Sequence, residues 1–194
     1  FTAGNWNTAQ TVTVTGVNDN LVDGTIGSTI TVTVNDGSSD NNFDAVADQT
    51  VSVTTTDNDT AGFTIAQSGG TTSVAETGTT DTFTVVLDAQ PTSDVVISLT
   101  SSDTGEATVN SPLTFTPANW NSAQTVTVTG VDDNIIDGTI TSTVTAEIVD
   151  VISDDDFDAV ANQTVSATTT DNDTAGFTIV QSGGSTSVSE AGTT

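Results

Sequence analysis

Carboxylates are nearly the only residues in this 194-residue chain that could do chemistry. It has 26 Asp and Glu and no Lys, Arg, His, Cys, Met or Tyr, for a formal net charge of -26. The acids come in recurring groups. "TTTDNDTAGF" occurs at 54–63 and again at 168–177, contributing Asp57 and Asp59, then Asp171 and Asp173. A second group reads "GVNDNLVDG" with Asp19 and Asp23, and later "GVDDNIIDG" with Asp132, Asp133 and Asp137. Glu76 and Glu190 each end a "TSV-x-E" stretch, and Asp103 and Glu106 lie in "SSDTGEA". Oxygens grouped in this way, interleaved with Asn and turn carbonyls, suit a hard divalent cation. Calcium (Ca2+) takes six to eight oxygen ligands at about 2.3–2.6 Å, whereas magnesium keeps most of its waters. Zinc, copper and iron draw on His or Cys, which are absent.

The same composition removes other chemistries. Without His, Lys, Cys or Tyr the usual general bases and nucleophiles are missing, so an enzyme is not expected. A glycosidase-like carboxylate pair is the one catalytic arrangement left. A polyanion cannot replace phosphate counterions, which excludes nucleic acid and anionic membrane surfaces as partners. No apolar run approaches the roughly 18 residues of a spanning helix, so membrane insertion is not expected. Folding such a chain concentrates its carboxylates against mutual repulsion, and a bound cation relieves that penalty.

The acids recur because the sequence does. "FTAGNWNTAQTVTVTGVNDN" from Phe1 returns as "FTPANWNSAQTVTVTGVDDN" from Phe115, an offset of 114 (115 − 1). Residues 1–80 align with 115–194 without a gap, and 58 of the 80 positions are identical. A period this long is a domain rather than a short solenoid repeat. We therefore expect residues 1–60 to be the C-terminal part of one repeat, 61–174 a complete repeat, and 175–194 the first strands of the next. Residues 175–194 and 1–60 together make 80, short of 114, so a simple swap between chains does not rebuild a unit. A window on a longer array is the expected reading.

Within the complete unit the apolar residues alternate, as in half-buried strands. Val126 and Val128 point one way in "QTVTVTG"; Phe83, Val85 and Leu87 share a face, as do Val95, Ile97 and Leu99. Ile140, Val144, Ala146 and Ile148 do so further on. Seven strands are expected: A at 62–66 resuming at 73–76, B at 82–87, C at 94–100, D at 106–116 with an interruption, E at 124–130, F at 138–149 and G at 163–170. Turn residues fill the gaps and no helical period appears. The fold class is all-β: tandem seven-stranded antiparallel β-sandwiches, immunoglobulin-like in outline. Trp120 is expected to pack on the core or its rim.

Successive antiparallel strands reverse direction, so one end of the sandwich collects the A–B, C–D and E–F connections and the end of G. That end receives Glu76, Asp103, Glu106, Asp132, Asp133, Asp137, Asp171 and Asp173. Asp, Asn and Gly are ordinary turn residues, and "DNDTAG" lacks the third ligand and closing Glu of an EF-hand loop. What favours a cation is the convergence of four segments with no basic residue to neutralise them.

The order and spacing of "TSVAE", "FTVVL", "LTFTPANWNSAQTVTVTGVDDN" and "DND" resemble the Calx-beta domain, a calcium-binding β-sandwich that occurs in tandem in large bacterial surface proteins. The resemblance covers the whole period. It implies that Glu76, Asp103, Asp132, Asp133, Asp171 and Asp173 hold calcium. Asp137 stands where the family more often has Glu, and Asn172 replaces an acid. Equivalent positions in the first copy are Asp19, Asp23, Asp57 and Asp59, with Asn18 neutral where Asp132 is charged; Glu190 opens the third. The implied function is a non-enzymatic, calcium-stiffened extender of an extracellular, cell-surface adhesin, stalk or filament. Its partners would be neighbouring repeats in the same chain or other copies in a fibre. A strand-exchanging fibre subunit, a carbohydrate-binding module and a Thr-rich ice-binding face are the alternatives. By the same topology the F–G loop, residues 154–158, lies at the opposite end. We expect Asp154, Asp155, Asp156 or Asp158 to approach the Asp57–Asp59 segment of the preceding unit.

Overall fold

A computed structural model of the protein describes residues 1–184 and 186–191. Its elements are strands, short 3-10 turns and loops, and none of the described helices is long and apolar enough to cross a membrane.

Residues Phe63–Thr170 build a sandwich. Strands β3 (Phe63–Gln67), β5 (Thr80–Leu87), β9 (Gln124–Gly130) and β7 (Ala107–Val109) form a four-stranded sheet in that order. Strands β4 (Thr72–Ala75), β11 (Gln163–Thr170), β10 (Ile140–Ile148), β6 (Val95–Ser101) and β8 (Leu113–Phe115) form the five-stranded one. The alternation is realised as expected: Val126 and Val128, Phe83, Val85 and Leu87, and Val95, Ile97 and Leu99 are all buried. Phe63, Phe115 and Phe157 complete the core between the sheets, and Trp120 packs against it half-buried. β-branched residues suit these pleated surfaces, and burying their apolar faces supplies the driving force.

Two expected strands prove to be four. Strand A breaks at residues 68–71, where Gly69 and Gly70 take φ values of +66° and +83°, open to Gly at little steric penalty. Its first half, β3, lies in one sheet and its second half, β4, in the other. Strand D divides likewise into β7 and β8, crossing over near the cis Ser111-Pro112 peptide. The transfer of β4 sets it beside β11 running in the same direction, Thr72 opposite Ala167 and Ala75 opposite Thr170. One pair is therefore parallel in a sandwich that is otherwise antiparallel.

The flanking copies form less. In the first copy, β1 (Ile26–Val32) and β2 (Gln49–Thr55) pair as an antiparallel hairpin at the positions of β10 and β11. Residues 10–16 have the same sequence as β9, yet they form no ladder. Strand β9 lies between β5 and β7, and residues 10–16 have no such neighbours among the described residues. Residues 177–181 likewise match β3 closely without forming a strand. Pairing partners, rather than propensity, decide these segments.

Candidate metal centre

Glu76 leaves the end of β4 and is only 1% exposed. Its backbone N–H donates to the Thr170 carbonyl at 3.1 Å, continuing the parallel pairing. Its Oε2 accepts the Asn172 N–H at 3.0 Å, while Oε1 is buried without a hydrogen-bond partner. The strand sits this deep because Gly130, which closes β9 in the facing sheet, has no side chain: a Cβ there would lie 2.2 Å from the Ala75 carbonyl oxygen.

Glu106 precedes β7 and is 5% exposed. Its carbonyl accepts from the Val131 N–H at 2.8 Å and the Thr169 hydroxyl at 3.2 Å, which ties the strand end to both neighbours. Its Oε2 is also buried without a partner. Asp171 and Asp173 follow β11. Asp171 organises the turn: Oδ1 accepts the Asp173 N–H at 2.6 Å and Oδ2 the Gly138 N–H at 2.9 Å. Asp173 keeps Oδ2 buried and unpartnered.

These carboxylates converge in two groups that share Glu76. In Glu76–Asp171–Asp173 and in Glu76–Glu106–Asp137, one oxygen of each residue lies within 4.8 Å of the others. Two oxygens bound to one calcium can be no more than about 5 Å apart, twice the usual bond length. Both groups therefore have the span of a single coordination sphere. The remaining expected residues lie at the rim. Asp132 is exposed, its Oδ1 accepting from the Asn172 side chain at 2.7 Å. Asp133 turns its Oδ1 to the Ile135 N–H at 2.6 Å. Asp103 is exposed, with Oδ1 on the Gly105 N–H at 2.9 Å, and belongs to neither group. Of the two acids in the C–D turn, it is Glu106 that joins a group, with Glu76 and Asp137. The available signal was its place: Glu106 borders a strand and so reaches the rim of the core, while Asp103 lies further out in the turn.

The crowding sets the protonation equilibria. For Glu76 the Asn172 N–H favours the charged form, but burial and the charges of Asp171, Asp133 and Asp137 outweigh it, and the pKa rises above its ordinary 4.5. Burial pushes Glu106 up, with Asp137, Glu76, Asp103 and Asp133 adding to it. Asp173 is raised by burial and by Asp171, Asp132, Asp133 and Asp137. Asp171 is lowered by the backbone N–H groups it accepts. One end of the sandwich thus holds several carboxylates whose ionisation is resisted by their own neighbours.

The first copy repeats the visible half of this arrangement. Asp57 accepts the Asp59 N–H at 2.7 Å on Oδ1, and the Gly24 and Asp23 N–H groups at 2.9 and 3.0 Å on Oδ2. These bonds lower its pKa. Asp19 accepts the Leu21 N–H at 3.1 Å, as Asp133 does from Ile135. Glu190 is exposed and in neither group.

At the opposite end, the acids of the F–G loop are placed differently from one another. Asp154 turns inward, 4% exposed. Its Oδ2 accepts the Thr92 N–H, the Thr92 hydroxyl and the Ser93 N–H at 2.6, 2.7 and 2.7 Å, and Oδ1 accepts the Asp156 N–H at 3.1 Å. Burial works against its charge, but these donors prevail and lower its pKa. Asp154 therefore pins the B–C turn instead of reaching towards the preceding unit. Burial raises the pKa of Asp158, and the nearby charges of Asp150, Asp155 and Asp154 add to it. Asp156 does act across the junction: its charge, after burial and those of Asp19 and Asp57, helps to raise Asp23.

Comparison with known proteins gives loose structural likenesses and no assignment. No protein-family model matches the chain, and no curated protein does. Among solved structures, the apo form of the Calx CBD1 domain is similar at 12% identity and a TM-score of 0.41, over 57% of this chain and 98% of that one. Domains 1–6 of the surface layer protein SbsC are similar at 24% identity and a TM-score of 0.39. There the match spans 63% of this chain but only 15% of the other. The Caenorhabditis elegans MSP-domain-like protein SSP-19 is similar at 17% identity and a TM-score of 0.34, over 52% and 92%. The chain is an all-β protein with an immunoglobulin-like sandwich, and any role for its carboxylate end rests on the geometry of that end.

Proposed function

We propose that the protein is a calcium-stabilised, non-enzymatic extender of the Calx-beta kind, built from consecutive sandwich repeats and working outside the cell in a surface adhesin, stalk or filament. The observation that carries this reading is the set of buried carboxylate oxygens without partners, Glu76 Oε1, Glu106 Oε2 and Asp173 Oδ2, brought together from three separate segments. A buried polar atom that finds no hydrogen bond is destabilising. The three are spread over the two groups that share Glu76, and a cation in each group would account for them. Glu76 would bridge two positions, one shared with Asp171 and Asp173, the other with Glu106 and Asp137. Asp132 and Asp133 would lie at the solvent side, and Asp19, Asp23, Asp57 and Asp59 would supply the equivalent in the first copy.

An ion that binds only the folded form stabilises it by RT ln(1+[L]/Kd), about 2.7 kcal/mol per site at a hundredfold excess. For a domain with a net stability of about 5–15 kcal/mol that is a large share. The array would be firm where calcium is plentiful and loose where it is scarce. Thermal unfolding in excess chelator and in millimolar calcium tests this. Calcium should raise the midpoint by several degrees, with magnesium much less effective. An unchanged midpoint overturns the reading.

A further inference from the structure

The first copy meets the sandwich through backbone. The Gln90 N–H donates to the Asn20 carbonyl at 2.7 Å, and the Val22 N–H donates to the Gln90 carbonyl at 3.1 Å. Leu21 and Gln90 thereby form a parallel bridge outside the two sheets. Val22 packs against the hydrophobic core of the sandwich. The receiving turn is held rigidly from behind: the Gln90 side chain donates to the Pro117 carbonyl at 3.0 Å, and Asp154 binds Thr92 and Ser93. A turn fixed in this way is ready to pair without further ordering, which favours association.

The loop that docks exists twice. Residues 134–136 are the counterparts of residues 20–22 at the period of 114, with Asn kept and Leu-Val replaced by Ile-Ile. Leu21 and Val22 are half-buried at the contact, whereas Ile135 and Ile136 are 61% and 56% exposed. The same apolar pair, on the same loop, is covered in one copy and open in the other. The pairing is made by main-chain groups, so it reads the shape of the turn and not a particular side chain, as in strand-addition recognition. We infer that residues 134–136 are a docking surface, and that their partner is the B–C turn, Gln90 and its neighbours, of a further copy of this unit. The joint is thus a repeated device, built from the loop at one end of a sandwich and the preset turn at the other. It does not depend on a cation.

The test is disulfide trapping in a chain that contains no natural Cys. Paired strands lie about 4.8 Å apart, inside the roughly 4.4–6.8 Å Cα separation that a disulfide spans. Leu21→Cys with Gln90→Cys in the natural chain is the reference pair. The second pair is placed in a chain lengthened by one period, with another copy of residues 61–174 following Thr174. It combines Ile135→Cys with Cys at the added copy's counterpart of Gln90. Mild oxidation should consume the thiols of both pairs to the same extent, in chelator or in calcium. Hydrogen exchange on the lengthened chain without substitutions should show the Ile136 N–H protected as strongly as the Val22 N–H. The proposal is overturned if the reference pair closes while the second stays reduced in both conditions, if the reference pair itself fails to close, or if Ile136 exchanges at an open-loop rate while Val22 is protected. A failed calcium response in melting with successful trapping would remove the cation reading and leave this one standing.

Discussion

Replacing Gly130 with Ala should damage both the packing and the carboxylate site from a position that carries no ligand. A Cβ at residue 130 would lie 2.2 Å from the Ala75 carbonyl oxygen and 2.8 Å from its carbonyl carbon. Both contacts are backbone, so no side chain can swing away. Reaching a separation of 3.0 Å, below which real Cβ contacts essentially do not occur, moves the Ala75 carbonyl by at least about 0.8 Å (3.0 − 2.2). Overpacking of this sort costs about 1–3 kcal/mol, which is roughly 5–15 °C in melting midpoint for a domain of this size. The displaced residue is bonded to Glu76. Calcium–oxygen bonds are confined to a window about 0.3 Å wide, so Glu76 should be lost as a ligand and calcium binding should weaken about tenfold or more. Gly16 is an internal control with the same neighbours in sequence. A Cβ there meets only Thr55 Cγ2, at an ordinary 3.5 Å, and Gly16→Ala should melt within about 1 °C of the parent. Circular dichroism melts in chelator and in calcium, with titration calorimetry for the ion, would measure both effects. A Gly130→Ala protein that melts like the parent with a full calcium response refutes the reasoning, as does a Gly16→Ala protein that loses as much.

Two further outcomes are expected. Glu106→Gln should raise the melting midpoint in chelator, because it removes a charge that burial and four acidic neighbours oppose, and it should shrink the rise produced by calcium. Asp103→Asn, on an exposed turn, should leave both values nearly unchanged, and the reverse ranking in paired melts would count against the assignment. The pH dependence should change sign with calcium. Glu76, Glu106 and Asp173 are raised in the folded state, so without metal the native form binds more protons than the unfolded chain just above the ordinary carboxyl values. Stability then falls as pH rises through that window. Acidification from neutral in chelator should therefore stabilise the protein down to about the ordinary 4.5 of Glu. Further acidification should destabilise it, as the lowered Asp154 and Asp171 are forced to take protons. In calcium, protons compete with the ion and acidification should destabilise throughout, which urea unfolding at a series of pH values would reveal.

The strands whose apolar residues alternate cleanly, such as "TFTVVL" and "QTVTVTG", were legible because one face of each is buried. The gathering of acids at one end was legible too, since it needs only the reversal of successive strands. Sheet switching was not. The breaks in A and D were visible as Gly-Gly and Ser-Pro interruptions, but which sheet takes the second half depends on distant edges. The inward turn of Asp154 was hidden for a similar reason, because its donors on Thr92 and Ser93 lie about sixty residues away in sequence. The clearest limit is residues 10–16: identical to β9, they form no ladder, so the information that makes β9 a strand lies in β5 and β7.

The parallel pairing of β4 with β11 has a mechanical consequence. Tension along the chain enters the sandwich from the side of β3 and leaves through the end of β11. Because β4 and β11 run the same way, pulling the start of one against the end of the other slides them past each other along their length. The hydrogen bonds linking Thr72–Ala75 to Ala167–Thr170 are then strained together, in shear, and must fail together. An antiparallel pair pulled from adjacent ends would open one bond at a time. Glu76 and Asp171 lie just past the ends of these two strands, so anything that ties them together fastens the clamp where sliding would begin. A repeat closed in this way is suited to transmit force without lengthening.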